Sequence, residues 1–99
     1  MTFAASFQGI AAPEHLDALK KSLEILERES RKQPGTIRYD FYQSADDPTI
    51  FLLFAIWESE ANWQAHVASA AHSRHIESLP EGAWATRPVK TEWRPLNGQ

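Results

Sequence analysis

Ile50-Phe51-Leu52-Leu53-Phe54-Ala55-Ile56-Trp57 runs without a polar residue and passes straight into Glu58-Ser59-Glu60 and a helical pattern. A strand with one wet face alternates polar and apolar side chains, so an unbroken apolar run of strand length predicts a strand covered on both faces. A chain of 99 residues has little with which to cover both. Folding alone, it buries only about two-thirds of its unfolded surface, so association would add useful core.

The flanks of the run fill in the fold. Upstream, Thr36 to Ser44 is rich in β-formers, and Ala45-Asp46-Asp47-Pro48-Thr49 supplies a polar turn, so the two segments read as a hairpin. In its first strand Ile37, Tyr39, Phe41 and Gln43 face one way, and Arg38, Asp40 and Tyr42 the other. Downstream, Ser59 is a good N-cap for a helix with Trp63, His66, Val67 and Ala70 at i, i+3, i+4 and i+7. A further turn or short helix carries His72, His75, Ile76 and Leu79, and Pro80-Glu81-Gly82 breaks it. Val89, Thr91 and Trp93, alternating with Lys90, Glu92 and Arg94, read as the last strand.

At the other end, Phe3 to Ile10 reads as a first strand with Phe3 and Phe7 on one face. Pro13-Glu14 opens a helix where a missing donor costs nothing and a carboxylate suits the dipole. Leu16, Leu19, Leu23 and Leu26 give that helix one apolar stripe, and Pro34-Gly35 ends it near Lys32-Gln33. The order βαββαβ predicts α+β architecture: a ferredoxin-like antiparallel sheet with two helices on one face, in a single domain spanning 1–99. Helices on one face leave the second face of Ile50–Trp57 uncovered. The same sheet from a second copy would cover it, which predicts a homodimer of face-to-face sheets or a closed barrel.

Composition narrows the partners. A net charge of -3 and a pI of about 5.7 offer nothing to a phosphate backbone, so nucleic acid is not expected. The chain contains no cysteine, which removes disulfides and thiolate chemistry and fits a reducing cytoplasm. Met1 to Gln8 lacks the basic region and long apolar core of a signal peptide, and no run approaches a membrane span.

Pro34-Gly35-Thr36-Ile37-Arg38-Tyr39-Asp40-Phe41-Tyr42, Asp46-Asp47-Pro48, the strand ending in Trp57-Glu58-Ser59-Glu60, Ala65-His66-Val67-Ala68-Ser69 and His72 together resemble the antibiotic-biosynthesis-monooxygenase (ABM) family. The resemblance covers Pro34 to about Leu79 and implies a dimeric α+β barrel. It further implies oxidation of quinols or polycyclic phenols by molecular oxygen with no cofactor. Such chemistry needs a base, a donor for the developing oxyanion and aromatic walls that limit water.

His66 is the base candidate, because imidazole titrates near neutrality and the helical spacing places it beside Trp63 and Val67; the alternative is a structural histidine at a helix-sheet junction. Arg38, with Asp40 and Tyr42, orients or polarises a phenolic oxygen if its face looks into the cavity, and forms a solvated edge or interface ion pair if it does not. Tyr39, Phe41 and Phe54 are either cavity wall or core. Trp63 and Trp84 are either lids over a planar substrate or packing residues. Asn62 departs from the small apolar residue usual in the family and either binds a substrate oxygen or decorates the helix; His72 either joins the site or caps a helix end.

Two other readings compete. One is a non-enzymatic dimeric barrel that binds a small hydrophobic ligand or acts in a stress response. The other is a heme-binding or heme-degrading relative; against it, the first strand has no Asn, His66 stands where those proteins resemble one another in a Trp, and His75 falls about one residue out of register for an axial ligand. A metal site from His66, His72 and His75 lacks a ligating spacing and a carboxylate.

Overall fold

The computed structural model describes residues 1–97. Strand β1 (Phe3–Ala11) leads through a single 3-10 turn at Pro13–His15 into helix α1 (Leu16–Arg31). Strands β2 (Thr36–Gln43) and β3 (Ile50–Trp57) form the hairpin, followed by helices α2 (Glu60–Val67) and α3 (Ala70–Ser78) and strand β4 (Trp84–Trp93). The sheet is antiparallel with order β2-β3-β1-β4, the ferredoxin-like arrangement that the element order predicts. None of the helices among the described residues is long and apolar enough to cross a membrane.

The run Ile50–Trp57 is a single strand over its whole length, and its alternate residues Phe51, Leu53, Ala55 and Trp57 are buried. They face α1, whose Leu19, Leu23 and Leu26 are buried against them, each such side chain contributing roughly 2 kcal/mol relative to exposure. Ala5 lies opposite Ala55 in the β1–β3 ladder, and both are fully buried. The other alternation, Ile50, Leu52, Phe54 and Ile56, lies on the opposite face and stays half-buried.

Strand β2 is an edge, and α1 supplies its missing partners. Glu27 Oε2 accepts from Phe41 N at 2.8 Å, and Arg31 Nε donates to the Tyr39 carbonyl at 3.0 Å. An edge strand satisfied in this way is a poor template for further pairing.

Three details depart from the sequence reading. Ile37 does not share the face of Tyr39 and Phe41: the β2–β3 register shifts between Thr36 and Arg38, and Ile37, in the shifted segment, is 54% exposed. The helical stripe does not run from Trp63 to Ala70, because α2 stops at Val67 and Ser69 Oγ accepts from His72 N to start α3. The last strand begins at Trp84, five residues before Val89, with Pro88 inside it. Proline is tolerated there because β4 is an edge strand whose register shifts between Gln8 and Ile10.

Candidate active site

A cavity of about 620 Å³ lies between the sheet and the helices. Its floor is Phe7 of β1, Tyr39 and Phe41 of β2, and Phe51, Leu53 and Trp57 of β3; Leu23 and Leu26 of α1 close one side. Trp63, His66 and Val67 of α2, His72, His75 and Ile76 of α3, Leu79 just after it, and Trp84, Arg87 and Pro88 of β4 form the rest. The volume falls within the roughly 300–1,000 Å³ of small-molecule sites. No carboxylate among the described residues lines it.

His66 is 5% exposed, and its neighbours determine which nitrogen carries the proton. Gln33 Nε2 donates to Ser69 Oγ at 3.0 Å, which turns Gln33 Oε1 toward His66 Nδ1 at 2.7 Å. Nδ1 therefore carries the hydrogen and Nε2 the lone pair, facing the Tyr39 hydroxyl at 3.3 Å. Burial first, then the adjacent His72, pulls the His66 pKa from 6.5 down to about 4. Burial likewise pushes the Tyr39 phenol above its ordinary range. At neutral pH the pair is a neutral imidazole beside a neutral phenol. His72 stands edge-on to His66 with ring centroids 5.2 Å apart, and burial lowers its pKa too.

The aromatic wall is packed, not loose. Trp63 stacks on Phe3 at 4.8 Å between centroids, and Lys90 Nζ sits 4.5 Å from the Trp63 ring centre. Trp84 meets Phe51 edge-on, centroids 6.4 Å apart. Trp57 is buried with its Nε1 unpartnered.

The structure thus brings His66, Trp63, Tyr39, Phe41, His72 and Trp84 to one cavity. Arg38, Phe54 and Asn62 lie elsewhere. Arg38 and Phe54 are on the far face of the sheet, where Asp40 pairs with Phe54 across the ladder and Arg38 pairs with Ile56. There Arg38 binds Asp40 Oδ2 at 2.7 Å and Tyr42 Oη at 2.6 Å, and lies 4.9 Å from the Phe54 ring centre. Arg38 first and Arg31 second hold the Asp40 carboxyl below its usual range. Asn62 accepts from Ser59 Oγ at 2.7 Å and donates to the Pro34 carbonyl at 3.3 Å, packing over Gly35 instead of the cavity. Gly35 has φ +80, so a side chain there would be strained as well as blocked by Asn62.

Sequence reasoning missed Gln33, Trp57, His75 and Arg87 as parts of the site. Gln33 sits beyond the apolar stripe, in the turn that ends α1, and carries no local signature. Arg87 precedes Pro88 in a stretch that does not alternate like a strand.

A ferredoxin-like sheet with an aromatic, histidine-lined cavity beneath its helices defines an α+β domain of the ferredoxin-like class. The chain belongs to the antibiotic biosynthesis monooxygenase family, whose model matches residues 3–78. Rv0793 from Mycobacterium tuberculosis superimposes with a TM-score of 0.87 at 23% identity, covering 97% of this chain and 96% of that one. A solved antibiotic biosynthesis monooxygenase gives a TM-score of 0.86 at 19% identity, covering 97% of this chain and 99% of that one. At these identities the likeness speaks for the fold. The uncharacterized protein sll1783 of Synechocystis sp. is 31% identical over 52 residues, 52% of this chain and 35% of that protein, so the match spans about a third of that relative's length.

Proposed function

We propose that this protein is a cofactor-independent monooxygenase-like enzyme that oxidises quinols or polycyclic phenols with molecular oxygen. The observation that supports this most directly is the neutral His66, its Nε2 lone pair held toward an aromatic cavity large enough for a planar substrate. The 3.3 Å contact from Tyr39 is long, and a substrate hydroxyl can displace it.

In this reading the phenolic O–H bond breaks toward His66 Nε2 and its electron pair stays on the substrate oxygen. The Tyr39 hydroxyl is the donor for that oxyanion. The electron-rich phenolate then reduces oxygen; one oxygen atom enters the ring to give the quinone and the other leaves as water. Trp63, Trp84 and Phe41 flank the ring and exclude solvent; His72 contacts its edge.

The same proposal includes a homodimer, with a cytoplasmic setting. The far face of the sheet carries Ile50, Leu52, Phe54 and Ile56, and beside them Ile10 at 38%, Val89 at 63% and Trp93 at 51% exposure. An apolar face of that extent on so small a chain fits a second copy of the sheet. Arg38, Asp40 and Tyr42 then belong to the interface, not to the chemistry.

Purified, metal-free and heme-free protein is supplied with naphthols, anthrols and hydroquinones, and oxygen uptake is followed. Acceleration on at least one of them, falling about 100-fold in His66→Ala, is the expected result. No acceleration over buffer on any of them, with His66→Ala indistinguishable from wild type, would overturn the catalytic reading.

A further inference from the structure

His75 stands between two spaces. On one side is the cavity that holds His66; on the other is a groove of about 400 Å³ between α1 and α3, bordered by Ser22, Ser78 and Arg74. His75 borders both, whereas Ser22 and Ser78 border the groove alone. His75 is 9% exposed.

Its hydrogen bonds give it a direction. Nδ1 lies 2.7 Å from Ser22 Oγ, and Ser22 Oγ lies 3.0 Å from Ser78 Oγ in an exposed contact. Ser78 Oγ donates its hydrogen to the His75 carbonyl at 2.8 Å. With each hydroxyl hydrogen used once, Ser22 donates to Ser78 and accepts from His75 Nδ1–H. Nε2 then carries the lone pair. Among the described residues it has no protein partner, and it lies on the ring edge away from Ser22, in a side chain that borders the cavity.

His66 has no such exit. Its Nδ1–H is held by the Gln33 amide oxygen, and an amide does not pass a proton onward. Besides His72, the cavity therefore meets two neutral imidazoles, one ending in an amide and one in hydroxyls that open on a groove.

We infer that His75, Ser22 and Ser78 form a proton relay that carries the phenolic proton of a bound substrate out of the cavity into the α1–α3 groove. The inference rests on the phenol-binding reading above and adds a second place of deprotonation to it: a hydroxyl lying against Tyr39 loses its proton to His66, and one lying toward α3 loses it to His75. In the step, the phenol O–H bond breaks toward His75 Nε2 and the electron pair stays on the phenolate oxygen. The Nδ1 proton passes to Ser22 Oγ as the hydroxyl proton of Ser22 passes to groove water, directly or through Ser78 as Ser78 gives up its own hydroxyl proton to that water. His75 ends neutral in the opposite tautomer, and the reverse sequence returns a proton to the reduced oxygen product.

The relay starts from a neutral ring, which the surroundings favour: burial first, then His72, lowers the His75 pKa to about 4. The other titratable and charged groups around it are His66, Tyr39 and Arg87 on the cavity side, and Lys21, Glu29 and Arg74 on the groove side.

The test uses 2-naphthol, a phenol that becomes a strong acid on excitation, so that naphtholate emission reports proton acceptance by the protein without oxygen chemistry. Bound to the wild-type protein at pH 7 it emits as naphtholate. In a His66→Ala background, where His75 is the remaining acceptor, emission falls about tenfold on adding His75→Phe and by a smaller factor on adding Ser22→Ala, which keeps the imidazole and removes the exit. Circular dichroism and naphthol affinity establish that each variant folds and binds, and Ser22→Ala decides the matter if His75→Phe does not fold. Naphtholate emission unchanged on adding Ser22→Ala in that background overturns the relay, whatever His75→Phe shows. Failure of 2-naphthol to bind the wild-type protein overturns the phenol-binding reading and the relay with it.

Discussion

Gln33 Oε1 lies 2.7 Å from His66 Nδ1, and the same amide is anchored through Nε2 to Ser69 Oγ, the residue that caps α3. The serine that starts the third helix thus also holds the amide that sets the tautomer of the buried imidazole. Gln33→Leu frees Nδ1 and removes one of the two N–H donors to Ser69 Oγ. The expected cost is about 1–3 kcal/mol in urea unfolding, and the nitrogen-15 spectrum of His66 should show Nε2 gaining protonation. Gln33→Glu should instead raise the His66 pKa, since a carboxylate against Nδ1 favours the imidazolium. A His66 spectrum identical in all three proteins would show that Gln33 does not orient the ring.

Stability should fall as pH drops below neutrality. His66 and His75 have folded pKa values of about 4, against about 6.5 in an unfolded chain. Between those values the unfolded state binds more protons than the folded one, so stability is fully present above about pH 6.5 and is lost as pH falls toward 4. Because both rings border solvent-accessible space, a discounted figure of roughly 2 kcal/mol for each is appropriate. Asp40 and Asp47, both depressed, act with the same sign but only in the carboxylate range below that window. Urea midpoints at pH 7.5 and 4.5 should differ markedly in the wild-type protein and much less in the double variant His66→Leu/His75→Leu. An equal loss in both proteins would place the effect elsewhere.

What could be read from the chain follows the strength of local patterning. Ile50–Trp57 and the Leu19-Leu23-Leu26 stripe are legible because period and length agree, and Ser59 is legible as a cap because a hydroxyl before an acidic first turn has few other uses. The stripe also contained a signal that its polarity concealed: Ser22 and Ser30 share the spacing of the leucines, and Ser30 is fully buried. The face of Arg38 was not legible, since it depends on pairing with a strand that is apolar on both sides. Nor was the break between α2 and α3, because Ala68-Ser69-Ala70 continues a helical composition and only the Ser69 cap redirects the chain. His66 could be chosen from periodicity, but Gln33 and Tyr39 meet it through tertiary structure alone.

Gly9 bears on the cavity through Trp84. A Cβ at position 9 would stand 2.9 Å from Trp84 Cζ3 and 3.1 Å from Pro88 Cγ, tighter than packed side chains allow. Both residues line the cavity, so Gly9→Ala must push the wall. The expected loss is about 1–3 kcal/mol of stability, accompanied by weaker binding of a planar phenol. Denaturant unfolding and naphthol fluorescence titration measure the two effects. Wild-type values for both would show that the indole yields freely.

The far face of the sheet gives the last prediction. Leu52 stands opposite Tyr42 on one side and Gln8 on the other, at the centre of that face and away from the cavity. If a second copy covers the face, Leu52 is buried in the assembly, and a carboxylate there must lose its water without gaining a partner. Light scattering should give twice the chain mass for the wild-type protein at micromolar concentration and the chain mass for Leu52→Asp. Thermal stability should rise with protein concentration in the wild type only, because association stabilises the folded state by mass action. In an isolated chain the same substitution lies on a half-buried surface and costs little, so circular dichroism separates dissociation from unfolding. A wild-type protein that scatters as a monomer would leave the apolar face without its second copy and remove the homodimer from the proposal.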